Sequence, residues 1–421
     1  MNIAKTVKKI LKNSVKYVSD HTASFATAPS YFTRHRQWTM DKILNILLQW
    51  DSGNLTDAIY DALPKKDKAK PFTISGFIQQ RDHIKAAAGK FIFKRTMKSL
   101  QKKTTHKKYL GYYLLACDVS DFHMTSEVTP SEPGADVQRK VQHTMLHLNA
   151  LYDVTNQLYV SVSMEPKLEC SERRSLLALL KDDIGYPPQE TIIVCDRGYE
   201  SSNVFTKLIL AGYHFVIRVK KPNGHGILHN IPISASEGKS TFEQDITIRV
   251  RLGHNGVYRK TSTREIPTDI TLPLRVIVKT NNKNESIYLI TNLPKKKLCA
   301  GQIVQVYRKR WDIEVSFRQL KYSVGGLVFH AKNLNAQKLE LYTALTLYNC
   351  ISTIVQQVNI PSYQKVNFSI SVKKCLVYLF ENIPIDLMKQ LAHNLIAIKH
   401  DRHFERKMSH KPAIAFIYRV R

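Results

Sequence analysis

Three carboxylates and a line of cations are the residues in this sequence best suited to chemistry. Asp118 closes the apolar run GYYLLACD and Asp196 closes TIIVCD, and side chains at the carboxyl ends of neighbouring strands can converge on one point. Strand side chains alternate, so a carboxylate facing such a site sends Cys117 and Cys195 to the opposite, buried face, and neither is then a ligand. The run YRKRWDIEVSFRQLK supplies the third carboxylate. Its Tyr307, Arg310, Glu314 and Lys321 stand at offsets 0, 3, 7 and 14, a stripe roughly 60° wide on a single helix, with Arg318 near it. Three hard carboxylates without a His or Cys partner select Mg²⁺ or Mn²⁺ over zinc. Two such ions would activate an attacking water or sugar hydroxyl and stabilise the leaving oxygen of a phosphodiester. An Arg fork beside them suits two phosphate oxygens. The plainer reading of the helix is an exposed amphipathic surface laced with ion pairs; the two strand-end aspartates weigh against it. Asp121 competes as first ligand, although its place beyond the apolar run favours a loop or capping role. His123, His143 and His147 read as surface or hairpin residues.

The elements that must position these groups follow from periodicity. Residues 143–152 and 157–164 alternate as a hairpin about the turn Asp153-Val154-Thr155-Asn156. Ser171 caps a helix to Leu180, Thr191 to Asp196 is a buried strand, and a helix from Ser202 to Leu210 leads to a strand from Tyr213 to Val219. Pro222, Asn223, Gly224 and Gly226 open a loop, after which FEQDITIRVRL and LRVIVKT read as antiparallel strands of an all-β insertion. Helical period returns near Cys299. The N-terminal 105 residues read as helices: Trp38 to Trp50, a break at Ser52-Gly53, Thr56 to Leu63 and a solvated linker from Pro64 to Pro71. Thr73 or Ser75 then caps a helix carrying Phe77, Ile78, Arg81 and Lys85, short and basic enough to enter a DNA groove, as any basic surface helix is. The resulting divisions are 1–105, 106–220, 221–295, 296–345 and 346–421.

Charge names the class of partner. The chain of 421 residues carries 63 Lys and Arg against 34 Asp and Glu, a formal +29, and 43% hydrophobic residues exclude a disordered basic tail. Residues 1–110 hold 22 Lys and Arg against seven Asp, with no Glu before Glu127, and residues 346–421 hold 11 basic and four acidic. Counterion release from phosphates is the usual use of such a surface; a face that only aids solubility is the bland alternative. Six cysteines without a zinc-like spacing read as reduced and intracellular. The N-terminal stretch is an amphipathic basic helix rather than a signal peptide, and the apolar run from Leu341 to Val358 is too broken by polar residues to span a membrane. A cytoplasmic protein is expected.

Taken together, ACDVSDF around Asp118, VCDRGYESSNVF around Asp196 and the Tyr-x2-Arg-x3-Glu-x6-Lys signature from Tyr307 to Lys321 resemble the bacterial insertion-sequence transposases of family four, which carry a DDE triad. The resemblance covers about residues 110–345. It implies an α/β fold with a ribonuclease-H-like core interrupted by the β insertion, flanked by helical N- and C-terminal regions. It makes Asp118, Asp196 and Glu314 the ligands of two Mg²⁺ or Mn²⁺ ions. Tyr307, Arg310 and Lys321 would hold transposon-end phosphates, with Arg318, Arg218, Arg197 and, on the N-terminal helix, Arg81 as further DNA contacts. Tyr288 is a candidate to stack a flipped base, against the reading of a core strand tyrosine. The implied activity is cut-and-paste transposition on double-stranded DNA: binding of terminal inverted repeats, hairpin-mediated cleavage, and joining of a 3′-hydroxyl to target DNA. Two ends must be paired, so a homodimer is expected, with the helix from Leu341 to Val355 a contributor. The alternatives are a catalytically inactive relative that occupies element ends, and a structure-selective nuclease without strand transfer.

Overall fold

The computed structural model describes residues 2–34, 37–49, 54–63, 72–124, 145–233, 241–253, 255–261, 269–281, 285–325, 329–361, 363–381 and 386–398. The expected Pro64–Pro71 linker, the Ser52-Gly53 break, His143 and the chain beyond 398 lie outside them.

Alternating and wholly apolar runs build one nine-stranded mixed sheet. Its strands are β1 (Tyr113–His123), β2 (Met145–Asp153), β3 (Leu158–Pro166), β4 (Thr191–Cys195), β5 (His214–Val219), β6 (Thr241–Leu252), β7 (Tyr258–Lys260), β8 (Asp269–Thr280) and β9 (Ser286–Thr291). They stand in the order β3-β2-β1-β4-β5-β9-β8-β6-β7. β1 and β2, and β2 and β3, run antiparallel, whereas β1, β4 and β5 are parallel. The β2–β3 turn forms because Asp153 accepts the N–H groups of Thr155 and Asn156 at 3.0 and 2.9 Å.

Two sequence expectations change here. β1 does not end at Asp118: it continues to His123, because Ser120, Asp121 and Phe122 keep pairing with β2. Asp121 is therefore a strand residue and not a loop or cap. The insertion consists of antiparallel strands, as read, and they continue the same sheet: β9 pairs with β5, and β8, β6 and β7 extend it.

The two sheet faces bury different cores, and the alternation is strict where it matters. Leu114, Ala116 and Phe122 of β1, with Ile192 and Val194 of β4, face one core; Leu115, Cys117, Ile193 and Cys195 face the other. The second core is covered by α7 (Glu172–Leu179) and α8 (Ser202–Leu210). The first takes the N-terminal helices α1 (Ile3–Asp20), α2 (Thr22–Phe25), α3 (Met40–Gln49), α4 (Leu55–Ala62), α5 (Ile74–Asp82) and α6 (Ala86–Lys103). It also takes α9 (Ala300–Lys309), α10 (Trp311–Tyr322), α11 (Leu334–Val355), α12 (Phe368–Phe380) and α13 (Leu387–Ala392).

Thr73 caps α5 by accepting the Gly76 N–H at 3.1 Å, and that helix stops at Asp82, so Lys85 begins α6 instead. Gly89 lets α6 lie against α11: a Cβ there would meet the Tyr342 Cβ at 2.9 Å and the Leu339 carbonyl at 3.2 Å. α11 runs straight through residue 345, where a division was expected, and is buried nearly all round, from Leu341 to Ile354. A helix so enclosed within its own chain has no face left for a partner, which removes the Leu341–Val355 stretch as a dimer contact. No described helix is long and apolar enough to cross a membrane.

Candidate active site

β1 and β4 are parallel neighbours with Cys117 opposite Cys195. The next residue of each strand is an aspartate, so Asp118 and Asp196 stand side by side, and alternation turns Asp118 toward the core that carries α10. The two cysteines are fully buried on the other face, as the period-two argument requires.

Glu314 is delivered by packing. Ile313, Phe317 and Leu320 seat α10 in the first core. A polar ladder fixes its rotation: Tyr159 Oη lies 2.9 Å from Ser316 Oγ, Tyr348 Oη donates to Gln319 at 3.0 Å, and Tyr348 and Tyr152 hydroxyls are 2.9 Å apart. Asn349 clamps both backbone groups of Tyr159 at 2.8 Å. The single helix expected for the Tyr307-to-Lys321 stripe is two, interrupted at Arg310, whose N–H reaches back only three residues, to the Tyr307 carbonyl.

That joint places the arginine inside the site. The Arg310 guanidinium donates to Asp118 Oδ2 at 2.8 Å with one η nitrogen and to Glu314 Oε1 at 2.8 Å with the other. Arg310 is 8% exposed, whereas the Asp118 and Glu314 side chains are 20% and 32% exposed. Tyr307 Oη donates to Asp196 Oδ1 at 3.5 Å, a long bond, and its ring centre is 5.9 Å from the guanidinium carbon. Asp196 also accepts the Arg197 backbone N–H at 2.6 Å. Burial pushes the Asp118 carboxyl up to about 6, with the charges of Glu314 and Asp196 adding and the Val119 N–H and Arg310 opposing. Burial, and then Asp196, raise the Tyr307 phenol, while Arg310 and Arg218 pull it down, which puts Arg218 of β5 within electrostatic reach.

The remaining predicted residues divide. Lys321 donates to the Asp121 carbonyl at 2.7 Å and lies over the Phe122 ring, so it braces the end of β1; burial lowers its ammonium. Asp121 points to the opposite sheet face from Asp118, where it accepts from His147 at 2.6 Å and Lys167 at 2.5 Å. His147 is thus a hairpin residue, the second of its two readings, and it is buried in β2. Arg318 and Arg197 are exposed. Tyr288 is half-buried in β9, paired with Val219 and Val278, and packs against the second core, on the sheet face opposite Asp118.

Arg81 is the plainest correction. It is 1% exposed and paired with Asp82 and with Glu340 of α11, at 2.9 and 3.1 Å, so it joins the N-terminal helices to the core and cannot reach DNA. Two residues were passed over. Trp311, 46% exposed, opens α10 beside Arg310 and falls at 40°, just outside the stripe, so the spacing alone did not select it. Glu200 accepts the Lys220 and Ile227 N–H groups at 2.9 and 2.6 Å and so holds the loop after β5; the Gly226 Cα faces it so closely that a Cβ would lie 2.3 Å from Oε1.

The donors fit a hard divalent cation in kind: three carboxylates with no nitrogen or sulfur. They do not yet fit one in spacing. Among the described residues no three His, Cys, Asp or Glu stand close enough to share an ion, and Arg310 lies between two of the carboxylates.

Residues 109–350 match the transposase DDE domain family. The chain belongs to this family. It is 28% identical over 184 residues to a putative transposase of Sinorhizobium fredii, covering 44% of this chain and 48% of that protein. It is 20% identical over 292 residues to the transposase InsG for insertion sequence element IS4 of Escherichia coli, covering 67% and 61%. A third relative, a putative transposase for insertion sequence element IS4SA of Synechocystis, is 34% identical over 86 residues, 19% of this chain and 25% of its own. The chain thus spans about half to three fifths of the length of the first two. Among solved structures it is similar to a piggyBac transposase synaptic complex with hairpin DNA, with a TM-score of 0.47 and 11% identity over 92% of this chain and 80% of that one.

Proposed function

We propose that this chain is a DNA transposase that binds the terminal inverted repeats of an insertion sequence and carries out metal-dependent strand cleavage and transfer. The observation that carries the reading is the meeting of Asp118 and Asp196, on neighbouring parallel strands, with Glu314 brought to Asp118 through one shared guanidinium. The strand order β3-β2-β1-β4-β5, antiparallel then parallel, supports a ribonuclease-H-like core. Asp118, Asp196 and Glu314 would hold one or two Mg²⁺ or Mn²⁺ ions, which when bound supply activation of the attacking oxygen and stabilisation of the leaving one.

The chain's own residues do the positioning. Tyr307 orients Asp196, and Lys321 fixes the Asp121 end of β1 so that Asp118 keeps its place. Exposed Arg197 and Arg318, with Arg218 beside Tyr307, grip the phosphates flanking the scissile bond. Trp311 offers a stacking surface to a base at that point. With Arg81 withdrawn, the N-terminal DNA contact moves to the outer face of α6, where exposed Lys90, Lys94, Arg95 and Lys98 border a groove of about 620 Å³ floored by Phe25 and Phe91. Two copies pair the two ends on one element. The reading of an inactive end-binder has less support, because none of the three carboxylates is replaced.

The test is cleavage of a labelled duplex carrying the element's own terminal repeat, with Mg²⁺, Mn²⁺ or EDTA, by the native chain, Asp196→Ala and Glu314→Ala. Metal-dependent nicking at the repeat boundary that both substitutions abolish, with binding retained within about threefold, is the expected result. Tight binding without cutting or joining would instead make the chain an occupant of element ends.

A further inference from the structure

The disagreement between donor chemistry and donor spacing has a local cause. Each η nitrogen of Arg310 serves a different carboxylate, one from the middle of β1 and one from α10, both at 2.8 Å. The two carboxylates therefore stand a guanidinium fork apart, whereas a Mg²⁺ ion with bonds of about 2.1 Å draws neighbouring ligand oxygens to about 3 Å of one another. A third anion, Asp196, stands beside them on β4. Three converging carboxylates with no cation would repel, so a chain that folds before it meets metal needs a positive charge at this point. Arg310 supplies it from a position more deeply buried than either acid it holds. It also sits at the joint between α9 and α10, where the helical hydrogen-bond ladder is interrupted and a side chain can be re-aimed without unwinding either helix.

Resting on the catalytic reading above, we propose that the Arg310 guanidinium is the resident counter-cation of the site, exchanged for a divalent ion at Asp118 and Glu314 and thereby released to a DNA phosphate. Metal entry and substrate grip are then one event. With an ion at the two carboxylates, the planar fork would be free of both and has the geometry to take two phosphate oxygens.

The experiment is Mn²⁺ binding to the full chain without DNA, by calorimetry and by the electron paramagnetic resonance of free Mn²⁺. Arg310→Met, which keeps bulk and loses charge, binds Mn²⁺ at least tenfold more tightly than the native chain. Arg310→Lys, able to serve only one carboxylate at a time, falls between them. Arg308→Met, an exposed charge two residues away, stays within twofold. Adding Asp118→Asn to Arg310→Met removes the gain, which locates the ion. Melting gives a second readout: Arg310→Met lowers the midpoint without metal, and Mn²⁺ restores it.

Equal affinity in the native chain and Arg310→Met, or weaker binding in the variant, overturns the exchange. If Asp118→Asn abolishes Mn²⁺ binding to the native chain in that case, the carboxylate site stands and only the role of Arg310 falls. Mn²⁺ binding by none of the proteins overturns both. Should Arg310→Met fail to fold, Arg310→Lys decides: affinity equal to native overturns the exchange, and a several-fold gain upholds it.

Discussion

Among the described residues two arginines each bridge a pair of carboxylates, and they do opposite jobs. Arg81 joins Asp82 and Glu340 where the N-terminal helices meet α11; Arg310 joins Asp118 and Glu314 where α10 meets the sheet. In the first cluster the arginine and Glu340 are enclosed, and only Asp82, 34% exposed, reaches the surface. Glu340 accepts the His330 N–H at 3.0 Å on its second oxygen, the arginine is 1% exposed, and burial lifts the Glu340 carboxyl to about 7 against the pull of Arg81. In the second, both acids are partly open and a third carboxylate stands alongside on β4. A closed pair clamps two parts of a fold. An open one has room for a ligand, and that openness rather than the ion pair itself separates a site from a strut.

The comparison can be pressed by breaking each cluster in turn. Glu314→Gln should lower cleavage at least about a thousandfold, the scale of losing several kcal/mol of metal-supplied stabilisation, with little change in melting. Arg81→Met should do the reverse, costing about 3 kcal/mol of stability because it leaves a buried carboxylate unpaired, while cleavage per folded molecule is kept. The Arg81→Met cost should shrink in acid, since Glu340 escapes its unpaired charge by taking a proton. Chemical unfolding at pH 8 and pH 5.5 measures both; equal costs at the two pH values would contradict the clamp.

A third ion-paired cluster lies on the far face of β1 and sharpens the contrast at smaller amplitude. The His147 bond and then Lys167, against the burial that opposes them, hold Asp121 down to about 2, below its ordinary 3.8. A carboxyl depressed on folding stabilises above its unfolded value, and that contribution is lost as pH falls through 2. Asp121→Asn should therefore cost about 1–2 kcal/mol at pH 6 and almost nothing near pH 2, with the difference read from unfolding curves at each pH. An equal cost at both would make the cluster a packing contact only. Smallest of all is the stability effect of Lys90, Lys94 and Lys98→Gln on α6. Lys94 and Lys98 pair with Asp182 and Asp183 at the exposed surface, so stability should move by no more than about 0.5 kcal/mol. The salt dependence of DNA binding should flatten by up to about three phosphate contacts. An unchanged slope would send the DNA elsewhere on the N-terminal region.

Much of the site was legible in the chain because the relevant periods are short. Alternation in ACD and VCD separated each aspartate from its cysteine, and the spacing from Tyr307 to Lys321 gathered a carboxylate and its cations on one helical face. Helix caps such as Thr73 and the Asp153 turn were readable for the same reason: the atoms that satisfy them lie within three residues. The misreadings were all questions of what lies across from a residue. Arg81 and Arg310 look alike in sequence, each a basic residue on an amphipathic helix, and only the approach of α11 to one and of β1 to the other divides them. Asp121 stopped being a loop residue once β2 supplied it with His147. The insertion joined the main sheet because β5 presented an edge to β9. Hydrophobic period and local hydrogen bonds are properties of neighbours in the chain, so the sequence by itself determined most of the elements and singled out the three candidate carboxylates. Pairing of charges and of sheet edges is made between residues tens to hundreds of positions apart, and only tertiary packing decided which arginine would be buried as a strut and which would stand in the site.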